Sequence, residues 1–527
     1  MMRRATSGAP RVRTVVVVVL LGLAVPPAGI AAQQTPRGKE VYDKWCAGCH
    51  GDKGAGDGHG ARFMLPRPRD FTNGVFKIRT TASGEIPTDA DLRHVIDGGM
   101  PGTAMPEWKT LLNEQQRNDV VAYIKSFSTF FSSTTAKAID VGRAPSVSDA
   151  AIADGRATYK KLECFKCHGE SARGDGTSAQ TLKDDWGHPI RAADLTESWK
   201  FRGGSTVEQI YTRLRTGLDG TPMPSFTDAL ENKLITDEQL WHVAQYVRSL
   251  SPKESPAVRE VVRAKLVTTL PAAPDDSTWN TAERYWVPVV GQIVVKPRWF
   301  APTVDGVWVQ ALHDKQRLAL RVTWHDPSRS PAPPWDEWLG RVSQTMSDAD
   351  GALSTQQGPD RLTIEFPQAL TDESQRPYFL QGSTRLPAYA WRWSSTPDSV
   401  TEGTATGLGH FTARTGAAEV THAASFAGGE WSVQFSRALG SADAKALSFV
   451  QGEAIPIGFF VADGSSGEDE VRGSVSTWYA IYLDVPTPRR VYIAPVISML
   501  LTAGLGAIVV SRAQRRERRA ELSQQEA

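Results

Sequence analysis

Cysteine is scarce in this chain: there are four in 527 residues. That number excludes the disulfide-stapled class of small secreted scaffolds. An excess of one charge sign is also missing, because 59 Lys and Arg against 58 Asp and Glu leave a net charge of +1. Without a basic surplus no nucleic-acid partner is expected. Apolar runs long enough to matter for a membrane occur only near the two ends. The length itself allows three or four domains.

The four cysteines are used up by two copies of one motif, Cys46-Ala-Gly-Cys49-His50 and Cys164-Phe-Lys-Cys167-His168. Zinc is the first rival reading of a Cys-x-x-Cys pair. A structural zinc takes four protein ligands, and neither copy has a second Cys pair or a His-x₃₋₅-His nearby. A disulfide framework would not put His after the second Cys twice. Cys-x-x-Cys-His is the attachment signal of c-type haem, in which both thiols bond to the porphyrin and the histidine takes an axial position on iron. Two covalent haem c groups are expected, on Cys46 and Cys49 and on Cys164 and Cys167, with His50 and His168 as iron ligands.

A second axial ligand is also repeated. Gly99-Met100-Pro101-Gly102-Thr103-Ala104-Met105-Pro106 follows the first motif, and Gly217-Leu218-Asp219-Gly220-Thr221-Pro222-Met223-Pro224 follows the second. The shared Gly-Thr-x-Met-Pro points to Met105 and Met223. Met100 is the rival in the first copy, but Leu218 stands at its counterpart. Between motif and methionine, Phe76-Lys77-Ile78-Arg79 matches Trp199-Lys200-Phe201-Arg202.

Helices are expected around each motif. Thr35-Pro36 can start one that runs through Val41, Tyr42 and Trp45, and Ser148-Asp149 can start its counterpart. Capping boxes follow each methionine at Asn113…Gln116 and Thr236…Gln239. Val120, Val121, Ile124 and Phe127, and again Leu240, Val243, Val247 and Leu250, then recur at helical spacing. Residues 34–132 and 146–252 resemble class I cytochrome c domains. The resemblance implies all-α folds in which the N- and C-terminal helices cross at one haem edge.

The chain ends set the expected compartment. Arg3, Arg4, Arg11 and Arg13 precede the apolar run Val15–Val25 and the small residues Ala28–Ala32, a pattern of a secretory signal peptide over residues 1–32. Val491–Val510 is 20 residues without a charge, enough at 1.5 Å per residue to span ~30 Å of hydrocarbon. Arg512, Arg515, Arg516, Arg518 and Arg519 follow, and a positive flank stays in the cytoplasm. The expected layout is a periplasmic body on the bacterial inner membrane, a single span at 491–510 and a cytoplasmic basic tail at 511–527.

The linker Ser132–Pro145 separates the two haem regions, and Ser251–Ser277 leads out of the second. Residues 276–487 then change character, with 11 of the 16 tryptophans and no cysteine. Alternating stretches such as Leu318–Trp324, Leu362–Phe366, Trp431–Phe435 and Ile455–Val461 read as half-buried strands of an all-β sandwich. The segments Trp324-His-Asp326-Pro327, Asp360–Pro367, Pro377–Gly382, Trp391-Arg-Trp393 and Val475–Tyr479 resemble the haem-binding gamma subunit of ethylbenzene dehydrogenase. Related subunits serve periplasmic molybdenum enzymes of the dimethyl sulfoxide reductase family. The resemblance implies a non-covalent b haem held by Met and Lys, and here the sequence departs. Gln381 stands at the Met position and Arg472-Gly473 at the Lys position. Met346, Lys296, Lys315, Lys445, His313, His325, His410 and His422 are the remaining donors, and each reads as a surface or loop residue. A third haem, of b type, is therefore not the expected outcome.

With His and Met on opposite faces, each iron has no open position, which suits outer-sphere electron transfer rather than catalysis. The expectation is a non-catalytic electron-transfer subunit linking a partner oxidoreductase, a molybdenum enzyme by resemblance, to the respiratory chain. Two alternatives stay open: a dihaem peroxidase-like enzyme, and a cytochrome-linked substrate-binding module of a secreted dehydrogenase.

Overall fold

A computed structural model describes residues 37–346, 353–368, 376–415, 419–441, 446–485 and 490–525. The expected signal peptide at residues 1–32, and Thr35-Pro36, lie outside the described residues. Three helices build the first haem region: α1 Arg37–Trp45, α2 Asp89–Gly98 and α3 Glu114–Lys125. The second repeats them as α4 Asp149–Lys161, α5 Val207–Thr216 and α6 Asp237–Ser249. The caps expected at α3, α4 and α6 are present. Asn113 and Gln116 close a reciprocal box at α3, as do Thr236 and Gln239 at α6, and Ser148 caps α4. Two further boxes, Thr88 with Asp91 and Thr206 with Gln209, start α2 and α5. No helix was expected there, although both boxes are written in the sequence.

In each region the first helix crosses the last at a glycine. A Cβ on Gly38 would sit 2.0 Å from the Asp119 carbonyl oxygen, and one on Gly155 would sit 2.0 Å from that of His242. The contact lets Tyr42 pack with Val120, Val121 and Ile124, and Tyr159 with Leu240, Val243 and Val247. Replacing Gly155 with valine should push α4 off α6 and cost about 1–3 kcal/mol, as overpacking of a tight contact does. Urea unfolding of the haem-loaded protein measures it, and an unchanged midpoint would mean that the crossing does not hold the domain together.

The third region is β-rich. One sheet runs in space from Thr421–Ala427 through Glu430–Ala438, Arg317–His325, Gly306–His313 and Val261–Leu266 to Tyr479–Leu483. The other runs through Arg361–Pro367, Ala388–Ser395 and Asp398–Ala405 to Phe411–Ala413. Strand Ala454–Ala462 belongs to both: its first half pairs with Tyr479–Ile481 and Tyr482, and Gly458–Ala462 pairs with Arg361–Glu365. The inner faces meet through Trp324 and Trp393 (ring centroids 5.8 Å apart), Trp393 and Trp431 (4.8 Å), and Trp391 and Phe435 (6.0 Å). Alternation of buried and outward residues put these tryptophans in one core.

Two features differ from the sequence expectation. Residues 251–277 were expected as linker, yet Val261–Leu266 is an inner strand, parallel to both neighbours. Only Val262 and Ala264 of it are fully buried, too little apolar signal to stand out between prolines. The β region is also not purely β, because helix α7 Asp336–Met346 packs Trp338, Leu339, Val342 and Met346 into a satellite core with Trp299 and Trp335. Last comes α8, Arg490–Gln525, which is long and apolar enough to cross a membrane by length and composition. It runs on as helix through the arginine-rich tail.

The three regions are joined by polar contacts. Arg67 donates to the Thr345 carbonyl, Arg173 pairs with Glu430 at 3.2 Å, and Lys200 pairs with Asp305. His325 contacts the Arg173 carbonyl of the second haem region. The sequence suggested only a turn there.

Candidate haem centres

Each Cys-x-x-Cys-His segment forms one helical turn, Ala47–His50 and Phe165–His168. The turn puts both thiols and the imidazole within one short stretch of backbone. All four cysteines are free thiols. Burial pushes the Cys46 and Cys164 thiols up to about 12, so they are neutral and unpaired.

The histidines are oriented by the backbone. His50 Nδ1 lies 2.9 Å from the Arg69 carbonyl oxygen and His168 Nδ1 lies 2.9 Å from that of Ala193. A carbonyl only accepts, so Nδ1 carries the proton in both rings and donates it. Burial lowers the pKa of each imidazole below its usual range. Both rings are therefore neutral with the Nε2 lone pair free, the state that binds a metal, and the partner carbonyl fixes ring orientation. Phe71 stacks on His50 at 4.5 Å.

Two tyrosines hold the motifs in place. Tyr42 donates its hydroxyl to the Gly51 carbonyl at 2.7 Å, and Tyr159 donates to Gly169 at 2.9 Å. The signal in the sequence was a tyrosine shortly ahead of each first cysteine, four residues before Cys46 and five before Cys164.

The methionine loops are near copies of each other. Met100 N donates to Met105 O at 3.0 Å, and Leu218 N donates to Met223 O at 3.0 Å. Thr103 Oγ1 accepts from Met105 N at 3.1 Å and Thr221 Oγ1 from Met223 N at 3.3 Å. The threonine of Gly-Thr-x-Met-Pro thus braces the methionine's own backbone. Met105 packs against the core that Cys46 also touches, and Met223 against the core that Cys164 touches. Met100 is not among the residues of that first cluster.

The donor set in each region fits a haem: two free thiols on one turn, an imidazole with a free nitrogen, and a thioether on the same core. The buried indole N–H of Trp108 also finds no hydrogen-bond partner among the described residues.

Residues 36–128 and 152–251 match the family described as Cytochrome c. Both regions are cytochrome c domains. Such domains carry covalent haem c, and the two Cys pairs fit its attachment. A Haloferax mediterranei protein that bears the name of a respiratory nitrate reductase haem subunit, ORF7, is 26% identical over 257 residues, 49% of this chain and 83% of its own. Among solved structures, a chain of the Kuenenia stuttgartiensis reducing HAO-like protein complex is 45% identical, covering 41% of this chain and 97% of its own, at a TM-score of 0.39. A family 9 carbohydrate-binding module of Caldicellulosiruptor kristjanssonii, solved with glucose, is 10% identical over 43% of this chain and 97% of its own, at a TM-score of 0.25.

In the β region the positions expected to have lost a b haem's ligands are filled by protein. Gln381 is 2% exposed and lies in a left-handed conformation, φ 63°. Its backbone faces Glu365, whose carboxyl is raised well above the usual range by burial. A Cβ on Gly473 would lie 2.6 Å from the Phe460 ring. Of the other donors, Met346 is buried in the α7 core. His313 hydrogen-bonds the Asp484 carbonyl and His422 pairs with Asp398. Lys445 lies outside the described residues.

Proposed function

We propose that this chain is a membrane-anchored dihaem cytochrome c that carries single electrons on the periplasmic side of a bacterial inner membrane. Its partners are an oxidoreductase, of the molybdenum-dependent dimethyl sulfoxide reductase family, and the respiratory chain. One arrangement carries the proposal: in both domains a neutral, carbonyl-oriented histidine follows the cysteine pair, and a braced methionine packs on the core that the first cysteine touches. His50 with Met105, and His168 with Met223, would take both axial positions and leave none for substrate. Bound haem supplies reversible one-electron chemistry, and thioether ligation favours the reduced state. The protein's own work is to hold the ligands, exclude water and present the domains to partners.

The Haloferax relative's name supports an oxidoreductase partner. The resemblance of residues 276–487 to the gamma subunit of ethylbenzene dehydrogenase supports a molybdenum enzyme. We read that region as a docking and structural module without a b haem, since Gln381 and Gly473 replace the ligands. Helix α8 would be its single anchor, with the arginine tail inside.

Protein produced with a cytochrome c maturation system should gain the mass of two haems that resist acid–acetone extraction. Its pyridine haemochrome should be of c type alone, and a stop codon after Val485 should release it from the membrane in soluble form. A single haem addition would sink the dihaem reading. Extractable haem b would overturn the assignment of the β region, and a truncated protein still in carbonate-washed membranes would overturn the single C-terminal anchor.

A further inference from the structure

The two cytochrome domains are joined by arginines from equivalent positions of the repeat. Arg79 and Arg202 each close a Lys-x-Arg segment, and each leaves its own domain to reach the methionine loop of the other. Arg79 is fully buried. It donates to the Thr216 carbonyl at 2.8 Å and pairs with Asp219 at 2.6 Å, both beside the loop that carries Met223. In return, Arg202 Nε donates to the Pro101 carbonyl at 3.0 Å and its Nη2 reaches that of Gly102 at 3.5 Å, inside the loop that carries Met105.

The Asp219 side is the stronger of the two. Its carboxylate also accepts from Ser83 Oγ at 3.0 Å and from Gly84 N at 2.8 Å, both in the first domain. Arg213 of the second domain braces the joint by donating to the Arg79 carbonyl at 3.1 Å. At the Asp219 position the first domain has Pro101, so its loop is held through carbonyls alone.

We infer that each cytochrome domain holds the axial methionine of the other: Arg79, through Asp219 and Thr216, restrains the Met223 loop, and Arg202, through Pro101 and Gly102, restrains the Met105 loop. This rests on the reading of Met105 and Met223 as iron ligands. A thioether is a neutral and soft donor, so its hold on iron depends on how little freedom its loop has to swing away. Within each domain that loop is tied mainly by its own turn, from Thr103 to Met100 and from Thr221 to Leu218. Charged contacts that stop the whole turn from lifting come from across the interface, joined at the second loop by Arg213 of its own domain, whose Nη1 lies 3.5 Å from the Gly217 carbonyl oxygen. Arg79 and Arg202 are positioning residues, and the pair of haems is one ligation unit rather than two beads on a string.

The test uses the full, haem-loaded chain and compares Arg79→Ala, Asp219→Asn, Arg202→Ala and the reference variants Met223→Ala and Met105→Ala. The readouts are the oxidised methionine-to-iron charge-transfer band and carbon monoxide binding by each reduced haem. Arg79→Ala lies in the first domain but should loosen the haem of the second. Carbon monoxide affinity there should rise about 10- to 100-fold, the range set by losing charged hydrogen bonds, while the first haem stays as in the parent. Asp219→Asn should do the same without touching the Arg79 contacts inside its own domain, so the test survives if Arg79→Ala fails to fold. Arg202→Ala should reverse the pattern, more weakly. Arg79→Lys, which keeps charge but not the fork, should restore part of the effect. A change confined to the first haem, or no change in Asp219→Asn, overturns the inference. If Met223→Ala itself leaves the second haem unaltered, the ligand reading fails instead, and the two failures are told apart.

Discussion

Replacing Met105 or Met223 with alanine should turn one low-spin, six-coordinate haem into one that binds carbon monoxide, with the other haem unchanged. The methionine of each braced Gly-Thr-x-Met-Pro turn packs on the core that the first cysteine of the motif also touches. Alanine leaves nothing there to occupy iron. Losing thioether ligation also lowers the reduction potential. A tenfold loss in preference for the ferrous state corresponds to about 59 mV in a one-electron couple, and the expected fall is at least that. Spectroelectrochemistry of the two variants measures it, with one carbon monoxide bound per altered haem. Met100→Ala is the control, and should behave as the parent because Met100 is outside the cluster that holds Met105. If Met100→Ala opens the first haem and Met105→Ala does not, the ligand assignment in that domain is wrong.

The β region should lose stability as pH rises from about 4 to about 7, the reverse of a protein held by ion pairs. Asp326, Asp360 and Asp463 are each 0% exposed, and an oxygen from each lies within 4.8 Å of the others. Burial, with the neighbouring carboxylates, pushes Asp360 up to about 7 and holds Asp326 well above the usual range. Glu468, whose carboxylate accepts from Asp463 N at 3.0 Å, is pushed up to about 7 as well. The folded state therefore keeps protons that the unfolded chain releases near pH 4. The stability tied to them is complete below that value and is lost as pH passes through 7. Asp360 and Glu468 each contribute on the order of 3–4 kcal/mol across this window, less where the groups share protons.

Thermal unfolding followed by tryptophan fluorescence should give a lower midpoint at pH 8 than at pH 5. Asp326→Asn should flatten that difference, because Asp326 Oδ2 has no hydrogen-bond partner among the described residues and an amide fits where an ionised carboxylate repels. A variant that is less stable than the parent at pH 8 would show that the cluster needs its negative charge.

Much of the haem sites was legible in the chain because their chemistry is local. Two thiols and an imidazole must sit on one turn, so spacing alone exposes Cys46, Cys49 and His50, and their copies. Caps and helical periodicity exposed α1, α3, α4 and α6. Helices α2 and α5 were not named from the sequence, although each opens on a capping box and buries an apolar face, Leu92 with Ile96 and Ile210 with Tyr211 and Leu214. Nor was strand Val261–Leu266, whose place between two parallel neighbours depends on residues some 50 and 220 positions away.

By itself the sequence determined the local pattern: which side chains are spaced as a porphyrin attachment requires, that the unit is repeated, and that a 20-residue charge-free run ends in arginines. Those properties follow from neighbours along the chain, where backbone geometry sets distances within one turn. Only the tertiary structure decided which nitrogen of His50 and His168 is free, because the carbonyls of Arg69 and Ala193 are supplied from 19 and 25 residues away. The repeat in the sequence pointed to Met105 over Met100, and only the tertiary structure brings Met105 against the core that Cys46 touches. It also gave the repeated Lys-x-Arg its role. Whether an arginine serves its own domain or its neighbour depends on how two folded surfaces meet, and no local spacing in the chain encodes that meeting.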